Sequence, residues 1–330
     1  MRLSVKKSSV KTLAQWALVA LLALFPLAGQ AETPASGPLV PLRVANLGIG
    51  LASMPQQMAL EKGIFAAHGL DLQVINFAQG GAEASAGAAS GQVDMGVFGT
   101  PILTGISFGL PIKIVAAPPA KGNNFELVAR KGIESVKDLK GKVVASGALG
   151  GGSHQSLLKI LHDNGLSESD LTIIPNGGAD AEMILRSGRV DAVVTSEAIR
   201  LKLIDSGIGT LIARARDYYG RYEHGYVFAT NAFIKSHPEA IRGYLAATRE
   251  SLLYAQSHLD ELVDYSAARV KMKKDLIRTY FEEQFALWDL SFVPDEEGTE
   301  HAFAILKDLK EIKPNAVFDR AGWFDLRFLN

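Results

Sequence analysis

The chain has no cysteine among its 330 residues, which excludes disulfides, Cys-ligated zinc, iron–sulfur clusters and thiol catalysis together. It has no basic surplus either: 34 Lys and Arg face 35 Asp and Glu. A nucleic-acid binder needs spare cations to displace phosphate counterions, so that class is excluded. No Gly-Lys-Ser/Thr is present to close a nucleotide phosphate loop. The seven His are scattered; His154 and His162 share a predicted helix eight residues apart. That is about 12 Å along the axis, too far for one metal ion. Gly48-Ile49-Gly50-Leu51-Ala52-Ser53 begins as a dinucleotide fingerprint but carries Ser53 at its third glycine position. Gly151-Gly152-Ser153-His154-Gln155 lacks the closing glycine of a hydrolase nucleophile turn. No nucleophile, base and orienting group assemble, so neither an enzyme nor a cofactor or metal is expected.

What is present begins at the amino terminus. Arg2, Lys6, Lys7 and Lys11 form a basic head, with no acidic residue before Glu32. An apolar run from Trp16 to Phe25 follows, then Pro26, with Gly29 and Ala31 placed for a cut before Glu32. This is the layout of a secretory signal peptide over 1–31, and the run is shorter than the roughly 20 residues of a membrane span. No cysteine follows that could take a lipid. Without the head, the chain is about five charges negative. An exported, periplasmic, soluble protein is expected. Residues 32–41 read as a Pro/Ser/Gly-rich leader that does not pack.

From Leu42 the sequence alternates short apolar strands with amphipathic helices, and the hydrophobic fraction of 48% suffices for a large core. Strands are predicted at Leu42–Leu47, Leu72–Phe77, Met95–Phe98, Ile112–Ala117, Phe125–Ala129, Val143–Ser146, Leu171–Ile174, Ala192–Thr195 and Tyr226–Thr230. Pro55 opens a helix that stops at Gly63, and Thr100 is placed to cap one starting at Pro101. The last third is helical, with apolar stripes Ile241, Leu245, Leu252, Ala255 and Ile277, Phe281, Phe285, Trp288 that read as core. The alternation predicts an α/β fold with helices flanking mostly parallel sheets.

An internal repeat divides the chain. Residues 80–94 and 177–191 both read Gly-Gly-Ala-acid-Ala, five residues, then Ser-Gly-x-Val-Asp. Each block follows a strand entered through Gly-Leu (Gly69-Leu70, Gly165-Leu166) and precedes another. Two copies of one α/β unit, and hence two lobes each with its own sheet, follow.

Open α/β sheets bind ligands at the carboxyl ends of their strands. The loops there contain Gly50, Ser53, Gly99, Thr100, Lys121 and Asn123 in the first half, and Gly152, Ser153, His154, Asn176 and Glu197 in the second. Several feed helix starts, where free backbone N–H groups favour an anion. Ser153 adds a hydroxyl after Gly150-Gly151-Gly152, His154 is placed to hydrogen-bond a ligand, and Glu197 can receive a ligand ammonium or stabilise its own helix start. Lys121 is the only Lys or Arg in these loops.

The residues Gln57-Met58-Ala59-Leu60-Glu61-Lys62-Gly63-Ile64-Phe65 and Gly69-Leu70-Asp71 resemble the opening of solute-binding proteins of the nitrate/sulfonate/taurine ABC-importer (NMT1/SsuA-like) family. Ser90–Asp94, Val136–Val143, Gly152–Leu158 and Ser187–Ala192 match as well. The resemblance implies a type II periplasmic-binding-protein fold with a ligand cleft between lobes. It places lobe 1 at 42–128 and 226–330 and lobe 2 at 129–225. It implies an inner-membrane permease and its ATPase as partners, with anion contacts at Thr100 and Ser153; the chain is expected to be a monomer. Glu197-Ala198 stands where the family has Trp or Glu followed by Pro. The apolar loop Leu47–Ser53 suits an organic tail, so an aliphatic sulfonate or sulfate ester is expected before nitrate, taurine or a thiamine-pyrimidine precursor. Thiamine-pyrimidine synthases resemble the family too, but their Cys-rich motif is missing here.

Overall fold

The computed structural model describes residues 37–46, 50–77, 81–147, 149, 152–175, 181–308 and 310–329. The basic head, the apolar run and the cut before Glu32 lie outside the described residues. Among the described residues, no helix is long and apolar enough to cross a membrane.

Ten strands form two five-stranded sheets. They are β1 Val40–Asn46, β2 Leu70–Asn76, β3 Met95–Gly99, β4 Ile112–Ala116, β5 Phe125–Arg130, β6 Val143–Ser146, β7 Thr172–Pro175, β8 Ala192–Ser196, β9 Gly209–Arg214 and β10 Gly225–Thr230. The first sheet runs β2-β1-β3-β10-β4, the second β7-β6-β8-β5-β9. Each is parallel except for one interior strand, β10 or β5, that runs against both its neighbours. The expectation of mostly parallel sheets holds, and the one reversed strand in each enters from a crossing segment at the carboxyl ends of the others.

The repeat extends to whole sheets. Ala229 faces Met95 in the first sheet as Ala129 faces Ala192 in the second. The register slips at Val227/Phe228 against β4 and at Leu127/Val128 against β9. The repeated Asp does the same work twice. Asp94 donates its N–H to Arg43 O and accepts the Arg43 N–H at 3.0 Å, while Asp191 donates to Val143 O and accepts the Val143 N–H at 2.8 Å. A carboxylate beside its own N–H satisfies two backbone groups where the parallel ladder ends.

Three features differ from the reading of the sequence. Strand β1 begins at Val40, inside the expected leader, pairing Val40 and Pro41 with Leu70 and Asp71. Proline is tolerated because β3 contacts β1 only at Val44 and Ala45, so no ladder needs its missing N–H. The expected lobe boundary after residue 128 cuts through β5, which pairs with β8 and β9; sheet membership changes between Ala116 and Phe125, and again between Arg214 and Gly225. Strand β9 was not expected at all.

Helices cover both faces of each sheet, and the two carboxyl-terminal stripes are largely buried as expected. Ile241, Leu245, Leu252 and Ala255 of helix Pro238–Ser257 are buried. Helix Lys274–Phe285 does more than cover the first sheet. Its Ile277, Tyr280 and Phe281 pack with Leu201 of helix Glu197–Asp205, which follows β8 of the second sheet, and with Leu51, Met54 and Met58 of the first half.

Candidate functional site

Both reversed strands start at the carboxyl ends of the sheets they join: Phe125 lies opposite Ser196, and Gly225 opposite Gly99. The crossing segments 117–124 and 215–224 thus run between the two sets of strand ends, where the helix starts of both halves also converge.

Within this junction Asn123 is buried; its side-chain amide donates to Ser156 Oγ at 2.8 Å and its carbonyl oxygen accepts the Phe125 N–H at 2.9 Å. Ser156 and Tyr219 are hydrogen-bonded, as are Thr100 and Tyr222, which joins the end of β3 to the second crossing segment. Burial pushes both phenols above their ordinary range. The rings of Tyr219 and Tyr222 stand 4.5 Å apart, and His224 lies 6.2 Å from Tyr222 and 6.0 Å, edge to face, from Phe125. Phe125, Tyr222 and His224 are half-buried and keep an open edge.

Ser153 lies in the first turn of helix Gly152–Asp163, and its Oγ accepts the Gly147 N–H at 2.9 Å. With its lone pair held by the backbone, its own proton is free to be donated outward. Gly152 faces Phe125 closely: a Cβ there would sit 3.2 Å from the ring, so any side chain would need the ring to give by a few tenths of an ångström. The absence of that carbon brings an anion-favouring helix start directly against an aromatic wall.

The other expected residues are placed as follows. Thr100 is buried but caps nothing; its backbone is already helical and its hydroxyl is used by Tyr222. Gly99 closes β3, with its Cβ direction 3.2 Å from His224 O. Gly50 and Ser53 serve their own turn, the Ser53 hydroxyl donating to Gly50 O at 2.8 Å and accepting from Gln57 at 3.0 Å. Lys121 turns to the carboxyl-terminal segment, donating to Val293 O at 3.0 Å with Asp289 at 3.5 Å and buried Glu223 at 3.8 Å. His154 is buried with Nε2 3.8 Å from Glu168. Asn176 lies outside the described residues, as do Gly150 and Gly151.

Glu197 is not a ligand acceptor in this arrangement, because both its oxygens are held by the protein. Arg216 donates to one at 3.0 Å and Gln284 to the other at 2.5 Å. Burial, then the neighbouring Glu126 charge, raises its pKa. It belongs to a buried network in which Glu126, 2% exposed, receives Arg200 at 2.7 Å and Arg214 at 3.1 Å, while Arg200 also donates to Glu283 at 2.5 Å. Through Gln284 and Glu283 the network holds helix Lys274–Phe285 to the second sheet's helix.

Sequence reasoning missed Tyr219, Tyr222 and His224. A signal existed: Tyr218-Tyr219-Gly220-Arg221-Tyr222-Glu223-His224-Gly225-Tyr226 packs four tyrosines and a histidine into nine positions that lead into β10. Tyrosine, with an apolar body and a polar tip, concentrates at binding surfaces. Burial leaves His224 neutral, its pKa lowered to about 4. The described junction holds no unpaired cation, and no group of residues that could hold a metal ion occurs among the described residues. An open groove of about 690 Å³ lies at the opposite ends of the first sheet's strands, but Arg43 and Asp94 in its wall satisfy one another.

Two mixed sheets flanked by helices, joined by two crossing segments at their carboxyl ends, define the fold of the periplasmic binding proteins. The solved aliphatic sulphonate-binding protein SsuA of Escherichia coli shares it, with a TM-score of 0.69 at 19% identity over 86% of this chain and 92% of that one. The chain belongs to the NMT1/THI5-like family, whose profile matches residues 52–262. A Brucella abortus protein named as a binding protein, without a ligand, is 26% identical over 247 residues, 73% of this chain and 75% of its own. The riboflavin-binding protein RibY of Chloroflexus aurantiacus is 24% identical over 245 residues, 71% of this chain and 68% of its own.

Proposed function

We propose that this chain is the solute-capturing component of an ABC importer, exported by its basic amino-terminal head and delivering a small organic anion to a membrane permease and its ATPase. The anion in this reading is a sulfonate or sulfate ester. The observation that carries it is the placement of Ser153 and the start of helix Gly152–Asp163 against the half-open rings of Phe125, Tyr222 and His224. Backbone N–H groups and a hydroxyl suit the spread charge of a sulfonate, and the rings suit its organic body. Likeness to a sulphonate-binding protein supports the same class. Relatives named as binding proteins favour binding over catalysis.

The test is calorimetric titration of the purified protein with alkane- and arenesulfonates, sulfate esters, nitrate, taurine, a thiamine pyrimidine and riboflavin. The expected result is saturable binding of a sulfonate or sulfate ester and none of nitrate. Tight binding of riboflavin or the pyrimidine, with no response to sulfonates, overturns the reading.

A further inference from the structure

The imidazole of His224 stands at the centre of the junction with neither ring nitrogen hydrogen-bonded. Its Nδ1 is fully buried without a partner, and no hydrogen bond to the ring exists among the described residues. Other polar side chains of the junction are engaged, Thr100 with Tyr222, Tyr219 with Ser156, and Asn123 with Ser156 and Phe125. Buried polar atoms are nearly always satisfied, and an exception in a binding region marks a group whose partner arrives with the ligand. Only ring contacts hold the imidazole, those with Phe125 and Tyr222.

The second observation is distance. A Cβ on Gly152 would stand 3.2 Å from the Phe125 ring, so the bare helix start lies close to that ring, and the same ring meets His224 edge to face at 6.0 Å. An anionic head held at Ser153 adjoins Gly152, whose bare Cα faces the Phe125 ring, an arrangement that favours charge carried directly on a flat ring. A ligand that fits carries its charge directly on a flat ring and presents a polar hydrogen or acceptor at the far side of that ring.

Resting on the reading of the site as a sulfonate or sulfate-ester pocket, we propose that its ligand is an arenesulfonate bearing a ring hydroxyl, and that His224 is the specificity-determining residue that hydrogen-bonds that hydroxyl. The neutral state enforced by burial suits this contact, since a protonated ring would favour a second anion in place of a hydroxyl.

The test compares ethanesulfonate, benzenesulfonate and 4-hydroxybenzenesulfonate by calorimetry on the intact chain and on His224→Phe, with His224→Asn as a second variant. Thermal melts without ligand check that each variant folds. In the native protein 4-hydroxybenzenesulfonate should bind about tenfold tighter than benzenesulfonate, and both tighter than ethanesulfonate. His224→Phe should abolish the advantage of the hydroxyl and leave benzenesulfonate within about threefold. His224→Asn should keep part of it. Ethanesulfonate binding as tightly as the arenes overturns this proposal but leaves the sulfonate site standing, as does a uniform loss across all three ligands in both variants. Failure of every sulfonate and sulfate ester, with another solute bound, overturns both.

Discussion

Removal of Arg200 should expose how firmly the carboxyl-terminal helix is tied to the second sheet. Its guanidinium is 6% exposed and bridges Glu126 at 2.7 Å and Glu283 at 2.5 Å. Arg200→Met keeps most of the apolar stem but strands Glu126, whose carboxylate is 2% exposed, with Arg214 at 3.1 Å and Arg216 at 3.9 Å. Breaking a buried pair from one side costs about 3–5 kcal/mol, because the remaining charge has lost its water as well as its partner. The two surviving arginines put the expectation at the lower end, about 3 kcal/mol. At roughly 2–4 °C per kcal/mol for a chain of this size class, the calorimetric midpoint should fall by about 6–12 °C. Adding Glu126→Met removes the stranded charge, and Arg214 and Arg216 can turn to solvent because they are already 38% and 26% exposed. The double variant should therefore melt above Arg200→Met alone. A single variant within about 1 kcal/mol of the parent, or a double variant that simply sums the two losses, would show that the network is solvated and the argument from burial wrong.

Two further expectations concern the site. Ser153→Ala should weaken the bound sulfonate by about 1.5–3 kcal/mol, as loss of a hydrogen bond to a charged group does. Lys121→Ala should cost under about 1 kcal/mol, since Lys121 is spent on Val293 O, Asp289 and Glu223; titration of both variants decides, and the reverse order refutes a site built on the helix start. His224 should also leave a mark on stability. The unfolded imidazole takes up a proton near pH 6.5 and the folded one only near 4. Unfolding therefore binds a proton in that window, and stability falls as pH is lowered through it, by at most about 3 kcal/mol. Glu197 and Glu223, raised by burial, tilt the opposite way. The measurement is accordingly the difference in urea midpoint between the native protein and His224→Phe from pH 7 to 4, and a constant difference would contradict a buried neutral imidazole.

Much of the architecture was legible because its signals are local. Apolar runs bounded by glycine located nine strands, and the Ser-Gly-x-Val-Asp repeat announced two sheets, since Asp94 and Asp191 each end a strand connection by bonding backbone. Strand β9 escaped because it is an edge strand, half exposed along Gly209–Arg214, with no clean alternation. The reversal of β5 and β10 could not be read, because direction is decided by partners such as Ser196 for Phe125 and Gly99 for Gly225, far along the chain. At the candidate site, helix-start logic singled out Ser153 and Gly152, whose helix start the structure sets near Phe125. It also chose Glu197 and Lys121, whose partners Gln284 and Asp289 come from the distant carboxyl-terminal segment. The tyrosines and His224 lie in a crossing segment, and reading loops only after strands leads past them.

The placement of β10 also gives assembly of the molecule an order. All five strands of the second sheet come from residues 125–214, so that sheet can close as soon as its own stretch of chain is available. The first sheet cannot. Its β3 and β4 are not neighbours; both pair with Gly225–Thr230, whose six residues are all buried. A chain delivered from its amino terminus therefore carries β1–β4 with two interior edges unsatisfied until some 230 residues have emerged. Unpaired edges are where chains associate wrongly, and contacts closed across long loops form slowly. A chain ending before Gly225 should hold a formed second sheet beside a first sheet split in two, so the half begun first is completed last.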